Sequence, residues 1–265
     1  MRRLAAGPLL LAALTVAVAE ERFVAPYVDT VREDVELILD LADVGPGDYL
    51  IDLGSGDGRF VIAAAQRGAL AHGVELDPAL VARGHANAAA AGVVDRTAFV
   101  HGDIFEADVS RATVVTIYLF PEANIALRPK LLAELAPGTR LVSNSFHMGD
   151  WAPDRRAQGR TSGGALLWII PAPVAGIWEL EFGDATRTLT LEQTYQRVTA
   201  GLEGATVDAA TLTGDRFTLL ARDGEAQLAL HGRVEGEAMR GTLQIERGGT
   251  EQVLPWTARR RSEAP

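Results

Sequence analysis

Residues 48–60 read Asp48-Tyr49-Leu50-Ile51-Asp52-Leu53-Gly54-Ser55-Gly56-Asp57-Gly58-Arg59-Phe60, and the reading of this stretch decides the fold. Tyr49 to Leu53 is a mostly apolar run, the pattern of a strand buried on both faces. It stops at three glycines in alternate positions, and a helical pattern starts directly after them. Strand, tight turn and helix start is the order in which a parallel sheet presents a ligand site. Glycine takes up backbone angles closed to other residues and lets a ligand lie against bare amides. The stretch therefore predicts a bound small molecule at Gly54, Ser55, Gly56 and Gly58.

Working outward, strand and helix patterns alternate. Upstream, Pro26 fixes an extended piece, and Asp29 or Thr30 is placed to cap a helix over residues 31–42, whose stripe is Val31, Val35, Ile38, Leu39 and Leu41. Downstream the pattern gives a helix over 59–67, a strand over 71–76, a helix over 78–91 and a strand over 97–101. A strand over 113–119, a helix over 123–135 and a strand over 140–145 follow. Such alternation means right-handed βαβ units and a Rossmann-like, doubly wound α/β sheet covered on both faces. Residues 150–164 are polar and read as a long loop before one more strand at 165–170. From Gly176 onward no helical period remains. Short alternating runs recur between turn signals such as Gly183-Asp184, Thr213-Gly214-Asp215 and Gly248-Gly249, which predicts an antiparallel all-β domain, a barrel or a sandwich. With Pro171-Ala172-Pro173 as linker, the chain divides into an α/β domain over 20–172 and a β domain over 173–265.

The bulk numbers set limits. The chain has 265 residues, 48% hydrophobic and 23% charged, enough for a sizeable core. A net charge of −10 argues against nucleic acid as a partner, because binding it means neutralising phosphates with a basic face. There is no cysteine, which excludes disulfides, thiol catalysis and cysteine-ligated zinc, and the five histidines show no ligand spacing, so no metal is predicted. Arg155-Arg156 and residues 259–261 are basic runs read as solvated surface. At the start, Arg2 and Arg3 precede an apolar segment ending in Ala17-Val18-Ala19, the layout of a secretory signal cleaved after Ala19. Export to the periplasm or cell envelope is the expectation for residues 1–19. An uncleaved anchor is the alternative, in which this segment alone touches the membrane and the chain can lie on its cytoplasmic face.

Ligands of open α/β sheets sit at the carboxyl ends of the strands. The second strand ends at Glu75, about twenty residues past the turn, where an acid can accept from two ribose hydroxyls. The third ends at His101-Gly102-Asp103-Ile104-Phe105, placing Asp103 to accept from an exocyclic amine and Ile104 beside an adenine face. Either acid also suits an ordinary strand-end turn. The glycine spacing separates cofactors: a nicotinamide fold wants G-x-G-x-x-G, whereas this chain reads G-x-G-x-G and has Arg59 where the third fingerprint glycine belongs.

With Asp52 two residues before the first glycine, the pattern resembles the class I S-adenosylmethionine-dependent methyltransferases. The resemblance spans roughly Pro26 to Pro171 and rests on Asp52, Gly54, Gly56, Glu75 and Asp103. It implies that Asp52 and the turn hold the methionine part of S-adenosylmethionine, Glu75 the ribose and Asp103 the adenine amine. Pro26-Tyr27-Val28 and Ile117-Tyr118-Leu119-Phe120-Pro121 resemble the seven-strand protein-lysine methyltransferases, in which an N-terminal aromatic segment folds over the cofactor; Tyr27 and Thr30 are the candidates here, unless Tyr27 is a packed aromatic. The extra β domain is not part of that resemblance and has no chemical constellation.

The acceptor is less explicit. The Asn/Asp-Pro-Pro-aromatic turn common in enzymes acting on adenine or glutamine amino groups is missing. Methyl transfer needs alignment and water exclusion more than a strong base. Tyr118 is the candidate to orient a nucleophile, and Phe120 and Pro121 to wall the substrate pocket, against a reading as core packing. His147, after the fifth strand, is the histidine placed to act as a base or to bond substrate, unless it is a polar loop side chain. The expected activity is methyl transfer to a nucleophile, with a protein lysine amine favoured by resemblance only; a non-catalytic cofactor-binding sensor is the alternative.

Overall fold

The computed structural model describes residues 28–160 and 163–261. The signal-like segment and Tyr27 lie outside them. The first sheet has seven strands in the order β3-β2-β1-β4-β5-β7-β6. They are β1 Tyr49–Leu53, β2 Leu70–Glu75, β3 Thr97–His101, β4 Val114–Ile117, β5 Arg140–Asn144, β6 Arg155–Ala157 and β7 Ala165–Ile169. Strands β1 to β5 run parallel, and β7 is antiparallel to both its neighbours. The helices are α1 Arg32–Leu41, α2 Arg59–Gln66, α3 Pro78–Ala91 and α4 Pro121–Glu134. β1 is flanked by β2 and β4, and its apolar run feeds both faces. Leu50 joins Ile38, Leu39 and Val61 in one core, while Ile51 and Leu53 join Leu127, Leu131 and Trp168 in another. Each such buried side chain contributes roughly 1.5–3 kcal/mol.

Three local expectations are corrected. The N-cap of α1 is Val31 and no side chain caps it, because Asp29 and Thr30 are engaged elsewhere, as described below. α4 begins at Pro121 rather than 123, since proline's fixed φ and missing N–H suit the first helical turn. Within the supposed loop at 150–164 lies β6, an edge strand of 3 residues that is too short and too polar to show a period.

The second sheet has eight antiparallel strands in the order β10-β9-β8-β15-β14-β13-β12-β11. They are β8 Gly176–Phe182, β9 Ala185–Thr194, β10 Arg197–Leu202, β11 Thr206–Thr213, β12 Arg216–Asp223, β13 Ala226–Glu235, β14 Ala238–Arg247 and β15 Thr250–Arg260. This is one meander curled on itself, which decides for a barrel over a sandwich. It is nearly closed: the two outermost strands, β10 and β11, are joined by a short turn and a single bridge, Leu202 to Ala205. Inward side chains fill it, with Trp178, Phe217, Leu243 and Trp256 wholly or almost wholly buried, as expected for eight strands. Within the basic run at 259–261, Arg259 and Arg261 are exposed as expected and Arg260 is the exception. Arg260 lies with its guanidinium 4.5 Å from the Trp178 ring centroid, pairs with Glu237 and donates to the carbonyls of Pro173 and Ala175, so it fastens the linker to the barrel.

Candidate functional site

The glycine turn is built as its sequence demands. Gly54, Gly56 and Gly58 have φ of 84°, 53° and 84°, a region that costs any other residue strain. A side chain on Gly54 would meet Leu119 Cδ2 at 3.2 Å, and one on Gly58 the Phe99 ring at 2.5 Å. The amides of Gly54 and Ser55 both donate to the carbonyl of Val74, at 2.9 and 3.0 Å, which binds the turn to the end of β2. The next amide turns the other way: Gly56 N–H donates to Glu75 Oε2 at 2.8 Å, while Asp77 N–H holds Oε1 at 3.0 Å. Glu75 is thus fixed against the turn it is expected to complement. Gly102 N–H donates to the carbonyl of Glu75 at 3.0 Å, bringing β3's end alongside. There Asp103 Oδ1 accepts from Phe105 N–H at 2.9 Å, with Ile104 and Phe105 half-buried beside it. Ser55 Oγ is buried without a partner.

Asp52 lies beneath the turn, 3% exposed, accepting from Thr116 Oγ1 at 2.7 Å. Burial pushes its pKa up to about 7; the Thr116 hydrogen bond opposes this, and the charges of Glu75 and Asp57 add to it. A carboxyl buried beside two other acids gains its charged form most readily when a positive charge comes near.

Arg59, in the position where nicotinamide folds keep a glycine, explains its own presence. It clasps Asp57 with Nε and Nη2 at 2.9 and 2.8 Å, reaches Asp29 Oδ1 at 2.8 Å, and donates to the Thr30 carbonyl. The chain before α1 is thereby strapped across the glycine turn. Thr30 is buried and its hydroxyl lies 3.4 Å from Asn144 Nδ2 at the end of β5. A cleft of about 310 Å³ opens beside Arg59 between α1 and α2, lined by Thr30, Arg32, Val35 and Gln66 among others; Glu75, Asp103 and Tyr118 are not part of it. The strand ends, not this cleft, gather the groups suited to a nucleoside.

Leu119 is flanked in sequence by two members of an aromatic cluster. Tyr118 and Phe146 stack with centroids 6.0 Å apart, and Phe120, 45% exposed, meets Phe146 edge-on at 5.6 Å. Pro121 is the first residue of α4 at its rim. From the stretch after β5 the sequence reading takes His147 as the site residue and not Phe146, whose signal is an aromatic just past β5, matching Phe120 just past β4. Phe146 is aimed by Ser145, whose φ is 68° and which lets Phe146 N–H turn back to the Asn144 carbonyl at 2.9 Å. Buried Asn124 holds the same loop, its Nδ2 3.3 Å from Ser143 Oγ and 3.4 Å from the carbonyls of Phe146 and His147. His147 itself is exposed, with Nδ1 accepting from Gly149 N–H at 3.0 Å.

A family model described as the ANTKMT methyltransferase domain matches residues 52–155. The chain is 43% identical over 130 residues to a protein-lysine N-methyltransferase of Saccharolobus islandicus, covering 48% of this chain and 81% of that protein. It is 36% identical over 178 residues to a lysine N-methyltransferase of Xenopus laevis named for ATP synthase, covering 67% of this chain and 73% of the relative. The solved structure described as an RNA methyltransferase from Salinibacter ruber in complex with S-adenosylhomocysteine is 49% identical. It covers 56% of this chain and 96% of that one, with a TM-score of 0.54.

Proposed function

Since the chain belongs to the class I S-adenosylmethionine-dependent methyltransferases, in the protein-lysine methyltransferase group, we propose that its acceptor is the side-chain amine of a protein lysine. The observation that carries this reading is the aromatic cluster of Tyr118, Phe120 and Phe146, whose chain neighbour Leu119 lies against Gly54 of the turn. Three ring faces suit an amine on an alkyl stem, attracting its charged form and desolvating it toward the neutral, nucleophilic form. The acidic balance of the chain suits a basic polypeptide and disfavours RNA, the acceptor in the description of the Salinibacter protein.

The residues present fit the cofactor: glycines that leave no room for a side chain, Glu75 held against the turn, Asp103 one strand further, and the orphaned Ser55 hydroxyl. S-adenosylmethionine supplies a methyl group on a cationic sulfur. Asp52 counters positive charge below the turn, Glu75 and Asp103 orient the nucleoside, and Thr30 closes over it. Tyr118 and Phe146 would align the acceptor amine in line with that methyl group and keep water out, and the amine proton would leave to water. A general base is not required if the amine arrives neutral. His147, exposed and turned to its own loop, is retained only as a residue at the substrate's entrance.

Calorimetry tests the cofactor residues. S-adenosylhomocysteine binding is expected to weaken by tenfold or more in Glu75→Ala and in Asp103→Ala; unchanged affinity in both would remove these residues from the site. Labelled methyl transfer into cell-envelope protein, followed by acid hydrolysis, should release methyl-lysine. Cofactor binding without any labelling would instead favour a sensor, and label in RNA would overturn the acceptor. Lys130 is the one lysine of the chain, so Lys130→Arg removes lysine self-labelling from the assay. From the layout of residues 1–19 we also propose export, checked with a topology reporter fused after residue 265.

A further inference from the structure

The barrel's seven hairpins differ at one place. Six carry glycine in the left-handed region, at Gly183, Gly204, Gly214, Gly224, Gly236 and the Gly248-Gly249 pair, with φ between 54° and 80°. The turn between β9 and β10 carries Tyr195 there, at φ 56°. Thr194 pairs with Arg197, so Tyr195 and Gln196 form a two-residue loop whose first position calls for glycine. A tyrosine persists at such a position when its ring is held by something else.

What holds it is the loop after β5. The Tyr195 ring stacks on buried Trp151, centroids 5.4 Å apart and planes 19° from parallel. Its hydroxyl donates to Asp150 Oδ1 at 3.0 Å, and the Arg128 guanidinium lies over the ring at 5.3 Å from its centroid while bonding Asp150 and the Met148 carbonyl. Gln196 accepts from Trp151 Nε1 at 2.8 Å and donates to the Ala152 carbonyl at 2.7 Å. Behind the turn, Gln193 donates to the carbonyls of Tyr195 and of Ala172 in the linker. Apart from Gln193, the contacts of Tyr195 and Gln196 land on residues 150–152 and Asp154, a few residues past Phe146, or on α4, whose first residue follows Phe120.

We propose that the β9–β10 turn is a positioning element for the methyl acceptor: Tyr195 and Gln196 fix residues 146–151 through Trp151 and Asp150, and so hold Phe146 against Tyr118. The barrel then belongs to the acceptor site without touching substrate. The assignment of that site rests on the lysine reading above, but the brace itself does not.

The test uses the full chain with Tyr195→Ala, Tyr195→Gly and Tyr195→Phe. Hydrogen exchange at residues 146–151 is expected to speed up tenfold or more in the Ala and Gly variants, with β1 and β4 unchanged, and to stay near wild type in Tyr195→Phe, which keeps the stack. Tyr195→Gly is the decisive variant: it suits the turn better than tyrosine, so it preserves the hairpin while removing the brace. With poly-L-lysine as acceptor, KM should rise fivefold or more in Ala and Gly, while S-adenosylhomocysteine affinity stays within twofold. Exchange at 146–151 that does not change in either variant overturns the proposal. If exchange changes as expected but the wild type leaves poly-L-lysine unlabelled, the lysine reading fails and the brace stands.

Discussion

At the scale of single residues, Asp52 shows how position outweighs identity. The same aspartate on the surface would titrate near 4; burial under the glycine turn moves it to about 7. Because the folded pKa lies above the unfolded one, Asp52 opposes folding least when protonated. The contribution is intact below about pH 4, falls as pH rises toward 7, and is lost above it, by ~1.4 kcal/mol for each tenfold change in acidity that survives solvent relaxation. Asp52→Asn should therefore flatten the stability profile of the cofactor-free protein between about pH 4 and 7. It should raise the thermal midpoint at pH 8, yet weaken S-adenosylhomocysteine binding by tenfold or more. A thermal midpoint at pH 8 below wild type would contradict this account. The placing of Asp52, Glu75 and Asp103 near the carboxyl ends of β1, β2 and β3 is legible in the sequence because each lies at a motif distance from the glycine turn. Phe146 is not, since its place depends on the left-handed turn at Ser145, a residue whose type does not announce that conformation.

At the scale of elements, the clearest case is the junction of β1 and α2, where comparison with a second glycine of similar φ separates backbone strain from packing. Gly58 has φ 84°, and a Cβ there would lie 2.5 Å from the Phe99 ring; Gly92, ending α3 at φ 69°, has nothing within 4 Å. Gly92→Ala should cost about 1 kcal/mol, the conformational penalty alone. Gly58→Ala should cost about 2–4 kcal/mol, because overpacking against Phe99 adds to it. Urea unfolding of the two variants measures the difference, and equal midpoints would show that Phe99 moves aside freely. The elements themselves are readable wherever apolar residues recur over several turns or alternations. β6 is not, for it has three residues at a sheet edge. The cap of α1 is ambiguous in the sequence because Asp29 and Thr30 suit an N-cap equally well, and only the reach of Arg59 from across the turn decides their use.

At the scale of the whole molecule, charge and architecture act on the acceptor together. Division into a doubly wound sheet and a β meander follows from periodicity, but their coupling does not. Trp151 is far in sequence from Tyr195 and Gln196, and none of the three belongs to a motif, so the brace becomes visible only once the β9–β10 turn is seen against the loop after β5. The net charge of −10, by contrast, is plain from composition and sets a field that draws polycations at long range. Such steering is screened once the Debye length shrinks from ~10 Å at 0.1 M salt to ~3 Å at 1 M. Cofactor contacts and the stacked rings around Tyr118 act at contact distance and escape that screening. Raising salt from about 0.05 to 0.5 M should therefore lower kcat/KM for poly-L-lysine on the order of tenfold, mostly through KM. S-adenosylhomocysteine affinity and kcat at saturating acceptor should hardly change. Steady-state kinetics with calorimetry at the same salts makes the comparison, and a kcat/KM independent of salt would mean that acceptor recognition is confined to the aromatic cluster.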